Sequence, residues 1–120
     1  MKSVYIAGSR KFYDEIEELV ETLQAKGVKA ETVGKWDKAE KDTLESEKAA
    51  LLRAFERIND FDLVYVYSKE GYIGKTVAME IAYAYARGKE IISLEEVKEL
   101  SAQGLVNKIM DEEELVIYCK

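Results

Sequence analysis

Short apolar runs alternate along this chain with stretches whose apolar residues recur at helical spacing, and that alternation admits few folds. Val4-Tyr-Ile-Ala7, closed by Gly8-Ser9, predicts a buried strand ending in a tight turn. Phe12, Ile16, Leu19, Val20 and Leu23 then form the stripe of an amphipathic helix, with Gly27 placed to end it. Val28 to Val33 reads as a weaker strand, followed by a polar loop from Gly34 to Ala39. A second helix carries Leu44, Leu51, Leu52, Phe55 and Ile58 and breaks at Asn59-Asp60. Leu63 to Tyr67 concentrates β-branched and aromatic residues as a central strand does. The loop Gly71-Tyr-Ile-Gly74 leads into a third helix that stops at Arg87-Gly88, and Glu90 to Ser93 supplies a fourth strand. Ser93-Leu-Glu-Glu96 matches a capping box and predicts a helix start, divided further on by Gly104, while Leu115 to Tyr118 reads as a fifth strand.

Strands and helices in strict alternation, joined by short loops, predict a parallel sheet covered on both faces. Five strands in 120 residues fit a single domain, residues 1–120. The expected architecture is a three-layer α/β, flavodoxin-like (Rossmann-like) fold with strand order 2-1-3-4-5. Ligands of such sheets bind at the C-terminal strand edge, where the order reverses between strands 1 and 3. The loops facing that point are Gly8 to Phe12 and Ser68 to Thr76.

Composition narrows the function. A net charge of −6 leaves no surplus of Lys and Arg for bulk phosphate neutralisation, which argues against nucleic acid and anionic membrane as partners. There is no His, and Cys119 is the single cysteine, so neither a disulfide nor a thiolate metal cluster is expected. Proton transfer falls to carboxylates, Lys and Tyr, with no metal and no redox cofactor implied. No apolar stretch approaches the ~20 residues that a bilayer requires, and no signal pattern opens the chain, so a cytoplasmic protein is expected.

Glu80 is the only charged residue between Val77 and Ala86, a window that otherwise reads as a helix packed on nearly every side. Burying a carboxylate costs several kcal/mol unless it is paired, hydrogen-bonded or neutralised, so Glu80 is either satisfied structurally or used. Gly74-Lys-Thr76 ends as a Walker A motif does, but Lys69 stands where that motif needs its first glycine. Gly74, Lys75 and Thr76 therefore predict a looser anion site or an ordinary first helical turn. Ser9 and Arg10 follow the first strand, where they hold an anion or form an exposed turn. Asp60 is a turn residue, whereas Asp62 leads straight into a strand and either caps the loop or reaches into a site.

Val4-Tyr-Ile-Ala-Gly-Ser9, Asn59-Asp-Phe-Asp-Leu-Val64, Gly74-Lys-Thr-Val-Ala-Met-Glu-Ile-Ala-Tyr-Ala84 and Gly88-Lys89 together resemble the nucleoside 2-deoxyribosyltransferase-like family. By that resemblance Glu80 is the nucleophile toward the anomeric carbon, and Asp62 contacts the base and delivers a proton to it. Tyr5, Gly8, Ser9 and Arg10 match the first-loop substrate region, and Ser-Arg there looks like the branch that hydrolyses nucleoside monophosphates. Gly74 replaces the Asp or Ser that family members carry, with Lys75 and Thr76 as its expected substitutes in binding sugar or phosphate. The resemblance implies cleavage or transfer of the N-glycosidic bond of a nucleoside or its 5′-monophosphate, no cofactor, and a homo-oligomer. The rival readings are a non-catalytic nucleotide-binding module of the same fold, or Glu80 as a structural partner of a buried Lys or Tyr.

Overall fold

In the computed structural model, which describes residues 1–33 and 42–120, Val4–Ala7 forms β1 and Ala30–Thr32 forms β2 beside it. Leu63–Val66 is β3, paired to the other side of β1, Glu90–Ser93 is β4, and Lys108–Ile109 is β5. All pairings are parallel and the order is β2-β1-β3-β4-β5, as the alternating pattern predicts. The polar loop expected from Gly34 to Ala39 lies outside the described residues.

Strand alternation distributes the core between two layers. Val4, Ile6, Leu63 and Tyr65 face one side, where they meet Ile16, Leu19 and Leu23 of α1 (Tyr13–Ala25). Tyr5, Ala7, Val64 and Val66 face the other, against Ala54 and Ile58 of α2 (Leu44–Asp60) and Val77, Ile81 and Ala84 of α3 (Lys75–Ala86). Gly27 follows α1 at φ +83, a left-handed conformation that lets the chain reverse into β2.

Four expectations give way to local chemistry. Leu115 to Tyr118 is not a strand: it belongs to α5 (Glu112–Cys119), and the fifth strand is the two-residue β5 instead. Asp111 accepts from the Glu114 N–H at 2.8 Å while Glu114 accepts from the Asp111 N–H at 3.1 Å, and three glutamates occupy the first turn. This capping box and its favourable helix-dipole charge outweigh the β propensity of four residues. Second, no helix starts at Ser93; α4 covers only Leu100–Gln103, capped by Glu99. The chain after β4 docks on the loop after β3, with the Glu95 N–H donating to Ser68 Oγ and the Lys98 N–H to the Gly71 carbonyl. Gly71, at φ +80, permits that docking, because a Cβ there would lie 2.7 Å from the Glu96 carbonyl.

Third, α3 is not packed on nearly every side: Met79 and Tyr85 are exposed, and the buried stripe is Val77, Glu80, Ile81 and Ala84. Fourth, the apolar pattern over 44–58 overstates the burial of α2. Leu44 and Leu52 face outward and only Ala54 and Ile58 are fully enclosed.

Candidate functional site

Glu80 sits on the same stripe as Val77 and Ile81, three and one positions away, so the packing that seats α3 on the sheet carries its carboxyl inward. It retains 6% exposure. Tyr5, on β1, points into the same layer and is fully enclosed; its hydroxyl donates to Glu80 Oε1 at 2.9 Å. Burial pushes the Glu80 carboxyl up to about 7 from its ordinary 4.5, while the Tyr5 hydrogen bond pulls the other way by favouring the charged form. Burial, and then the charge of Glu80, push the Tyr5 phenol far above its ordinary range, so it is a permanent donor. Among the described residues, Glu80 has no ion-pair partner. It is not a solvated carboxylate, and no described residue makes it half of a salt bridge.

Beside this pair opens a cavity of about 530 Å³, a size that suits a small-molecule ligand. Tyr5 and Glu80 line it, together with the loop after β1 at Gly8, Ser9 and Arg10 and the start of α3 at Gly74 and Thr76. Its place is the C-terminal edge of β1, at the reversal of strand order. Gly8 is the close approach here, since a Cβ would meet Ile16 Cδ1 at 2.6 Å and Tyr67 Cβ at 3.1 Å. Ser9 Oγ accepts from the Lys11 N–H at 3.4 Å and caps the 3-10 turn Arg10–Phe12.

Two sequence-predicted residues stand elsewhere. Asp62 precedes β3 and so lies at the opposite, N-terminal edge of the sheet. There it accepts from the Ser3 N–H at 2.8 Å and the Ser3 hydroxyl at 3.1 Å, which hold its carboxyl below the usual range, and it is not part of the cavity wall. Lys75 is exposed and likewise outside the wall.

The wall that the sequence did not announce comes from α2 and from Asp42 just ahead of its N-cap. Asp42, Ser46, Glu47, Ala50 and Arg53 face the cavity, brought there by a helix whose start is set by Thr43 and Ser46 in reciprocal hydrogen bonds at 3.1 and 3.0 Å. Arg10 is gripped from this side. Its two terminal nitrogens bond the two oxygens of Glu47 at 3.0 and 3.1 Å, and Nη1 also reaches Asp42 Oδ1 at 3.1 Å. Such fork-to-fork geometry is the stronger kind of guanidinium pairing. Among the described residues no group of three or more acidic or cysteine side chains is arranged to hold a metal ion, and no helix is long and apolar enough to cross a membrane.

No protein-family model matches the sequence, and a search of curated proteins finds no match. Solved structures share the fold. A conserved protein from Enterococcus faecalis V583 aligns at a TM-score of 0.66 and 19% identity, over 98% of this chain and 96% of its own. A 2-deoxyribosyltransferase from the psychrotolerant bacterium Bacillus psychrosaccharolyticus aligns at 0.68 and 16% identity, over 95% and 90%. The CMP N-glycosidase of Clostridium botulinum aligns at 0.58 and 20% identity, over 98% and 97%.

Proposed function

We propose that the chain cleaves or transfers the N-glycosidic bond of a nucleoside or its 5′-monophosphate, with Glu80 as nucleophile and Tyr5 as the residue that orients it. The observation that carries this reading is a buried carboxylate with no ion-pair partner among the described residues, hydrogen-bonded on one oxygen and bordering a ligand-sized cavity. Two of the proteins that share the fold end to end are a deoxyribosyltransferase and a CMP N-glycosidase, which supports the same class of substrate.

A carboxylate as buried as Glu80 attacks an oxocarbenium-like carbon better than a solvated one does. In the first step an oxygen of Glu80 bonds to the anomeric carbon as the bond to the base nitrogen breaks, leaving a glycosyl ester on the enzyme, while the base departs with the electron pair of that bond and takes a proton from solvent. Water or a second base then bonds to the anomeric carbon, gives up a proton to solvent, and breaks the ester bond so that the Glu80 carboxylate is restored. The Tyr5 hydroxyl holds Oε1 and offsets part of the cost of ionising Glu80 in the pocket. Gly8, Ser9, Gly74 and Thr76 frame the sugar. Protonation of the departing base is not assigned to Asp62, which stands at the far edge of the sheet. A cytoplasmic homo-oligomer belongs to the same proposal.

The test is chromatography for free base after incubation with the common deoxynucleosides and ribonucleosides and their 5′-monophosphates, run beside Glu80→Ala. Base released by the parent and lost by at least 100-fold in the variant supports the reading. Equal release by both proteins removes Glu80 as nucleophile. A non-catalytic binding module would bind these compounds, release no base and be indifferent to Glu80→Gln.

A further inference from the structure

The Arg10 grip bears on which of those substrates the cavity accepts. Resting on the glycosidic reading, we propose that Glu47 is a specificity residue: by holding Arg10 it turns the cavity toward nucleosides with a free 5′-hydroxyl and against their 5′-monophosphates. The sequence resemblance points the other way, since Ser9-Arg10 alone resembles a phosphate grip.

The argument is one of charge and geometry. Arg10, Glu47 and Asp42 all line the cavity that Glu80 borders. Both terminal nitrogens of the guanidinium already face a carboxylate, at 3.0 and 3.1 Å to Glu47, with Asp42 as a further acceptor at 3.1 Å. Among the described residues, the trio of Arg10, Glu47 and Asp42 is one cation between two carboxylates and so net negative, and Arg53, the other cation of the wall, pairs with neither carboxylate. A phosphomonoester carries about 1.5 to 2 negative charges near neutral pH. To use Arg10 it has to strip Glu47 away and leave two anions side by side. A hydroxyl has no such conflict, because it donates to an oxygen of Glu47 or Asp42 and leaves the ion pair in place. Discrimination of this kind comes from built-in repulsion as much as from attraction.

The cluster is not dry. The side chains of Arg10 and Glu47 keep 38% and 36% of their exposure and Asp42 keeps 65%, so solvent screens the repulsion. The expected preference for free nucleoside over monophosphate is therefore of the order of tenfold to a hundredfold rather than thousands.

The experiment is calorimetric binding of the four common 2′-deoxynucleosides and their 5′-monophosphates to the full chain and to Glu47→Gln, with base release measured on the same panel. Gln keeps the shape and one acceptor but not the charge. The ratio of monophosphate to nucleoside affinity should rise about tenfold or more in Glu47→Gln at low salt, and by less at high salt. Asp42→Asn, a milder change at a more exposed position, should move the ratio in the same direction and serves if Glu47→Gln does not fold. A parent protein that prefers the monophosphates, or a ratio unmoved by either substitution, overturns the role of Glu47. If base is released while the ratio stays fixed, the glycosidic reading survives and Glu47 falls. If the ratio moves but no base is ever released, the specificity role stands and the catalytic reading falls. Binding of neither class removes both.

Discussion

Replacing Glu80 by Gln makes the energetic burden of the buried carboxylate measurable. The folded protein holds the Glu80 proton up to about pH 7, whereas the unfolded chain releases it near the ordinary 4.5. Between those two values the folded state binds more protons than the unfolded state, so this group's contribution to stability is fully present below pH 4.5 and is lost as pH rises through 7. At 1.36 kcal/mol per pH unit, the loss across the window is about 3 kcal/mol. For a domain whose whole stability is on the order of 5–15 kcal/mol, that is a large burden. Gln presents the same carbonyl oxygen to the Tyr5 hydroxyl and never ionises. The expectation is that Glu80→Gln and the parent unfold with similar free energies at pH 4.5, and that the variant is more stable by about 3 kcal/mol at pH 8. In a chain of 120 residues that corresponds to a gain in Tm of roughly 10 °C. Denaturant unfolding of both proteins at pH 4.5, 6, 7 and 8 gives a difference curve in which every other titrating group cancels. A difference that stays constant over this range would refute the reasoning, because it would show that Glu80 is no harder to ionise in the fold than in the unfolded chain. A stabilised but inactive variant would show that stability is spent on function at this position.

Other changes separate the site from the scaffold. Tyr5→Phe removes the donor that favours the charged form of Glu80, so the midpoint of a pH profile of base release should move upward and the rate at pH 7 should fall by about tenfold. A profile that keeps its midpoint would detach Tyr5 from the chemistry. Asp62→Asn should leave base release within about twofold of the parent yet cost about 1 kcal/mol of stability at pH 7, through the weakened tie to Ser3. Because Ser3 holds the Asp62 carboxyl below its ordinary 3.8, that contribution is present above this value and lost as pH falls through the lowered one. Unfolding curves of variant and parent should accordingly lie closer together at pH 3 than at pH 7.

The change of period between strand and helix, the glycines that punctuate it and the run Leu63–Val66 were enough to read the parallel sheet, its order and the edge at which the cavity opens. Glu80 was legible for the same reason: a lone carboxylate on an apolar stripe is conspicuous whatever surrounds it. Asp62 carried a usable signal too, since a residue that opens a parallel strand lies at the edge opposite to one that follows it. Leu115 to Tyr118 was ambiguous, because four apolar residues satisfy either period, and the Asp111–Glu114 capping box settled the matter. The Arg10–Glu47 grip joins residues 37 positions apart and is written in neither neighbourhood. Local patterning dictates elements and their faces because backbone hydrogen bonding and side-chain direction act over a few residues. Which charges meet across a cavity is decided only when helices pack, and in this protein that packing turns a sequence that looks made for phosphate into a pocket whose guanidinium is already engaged.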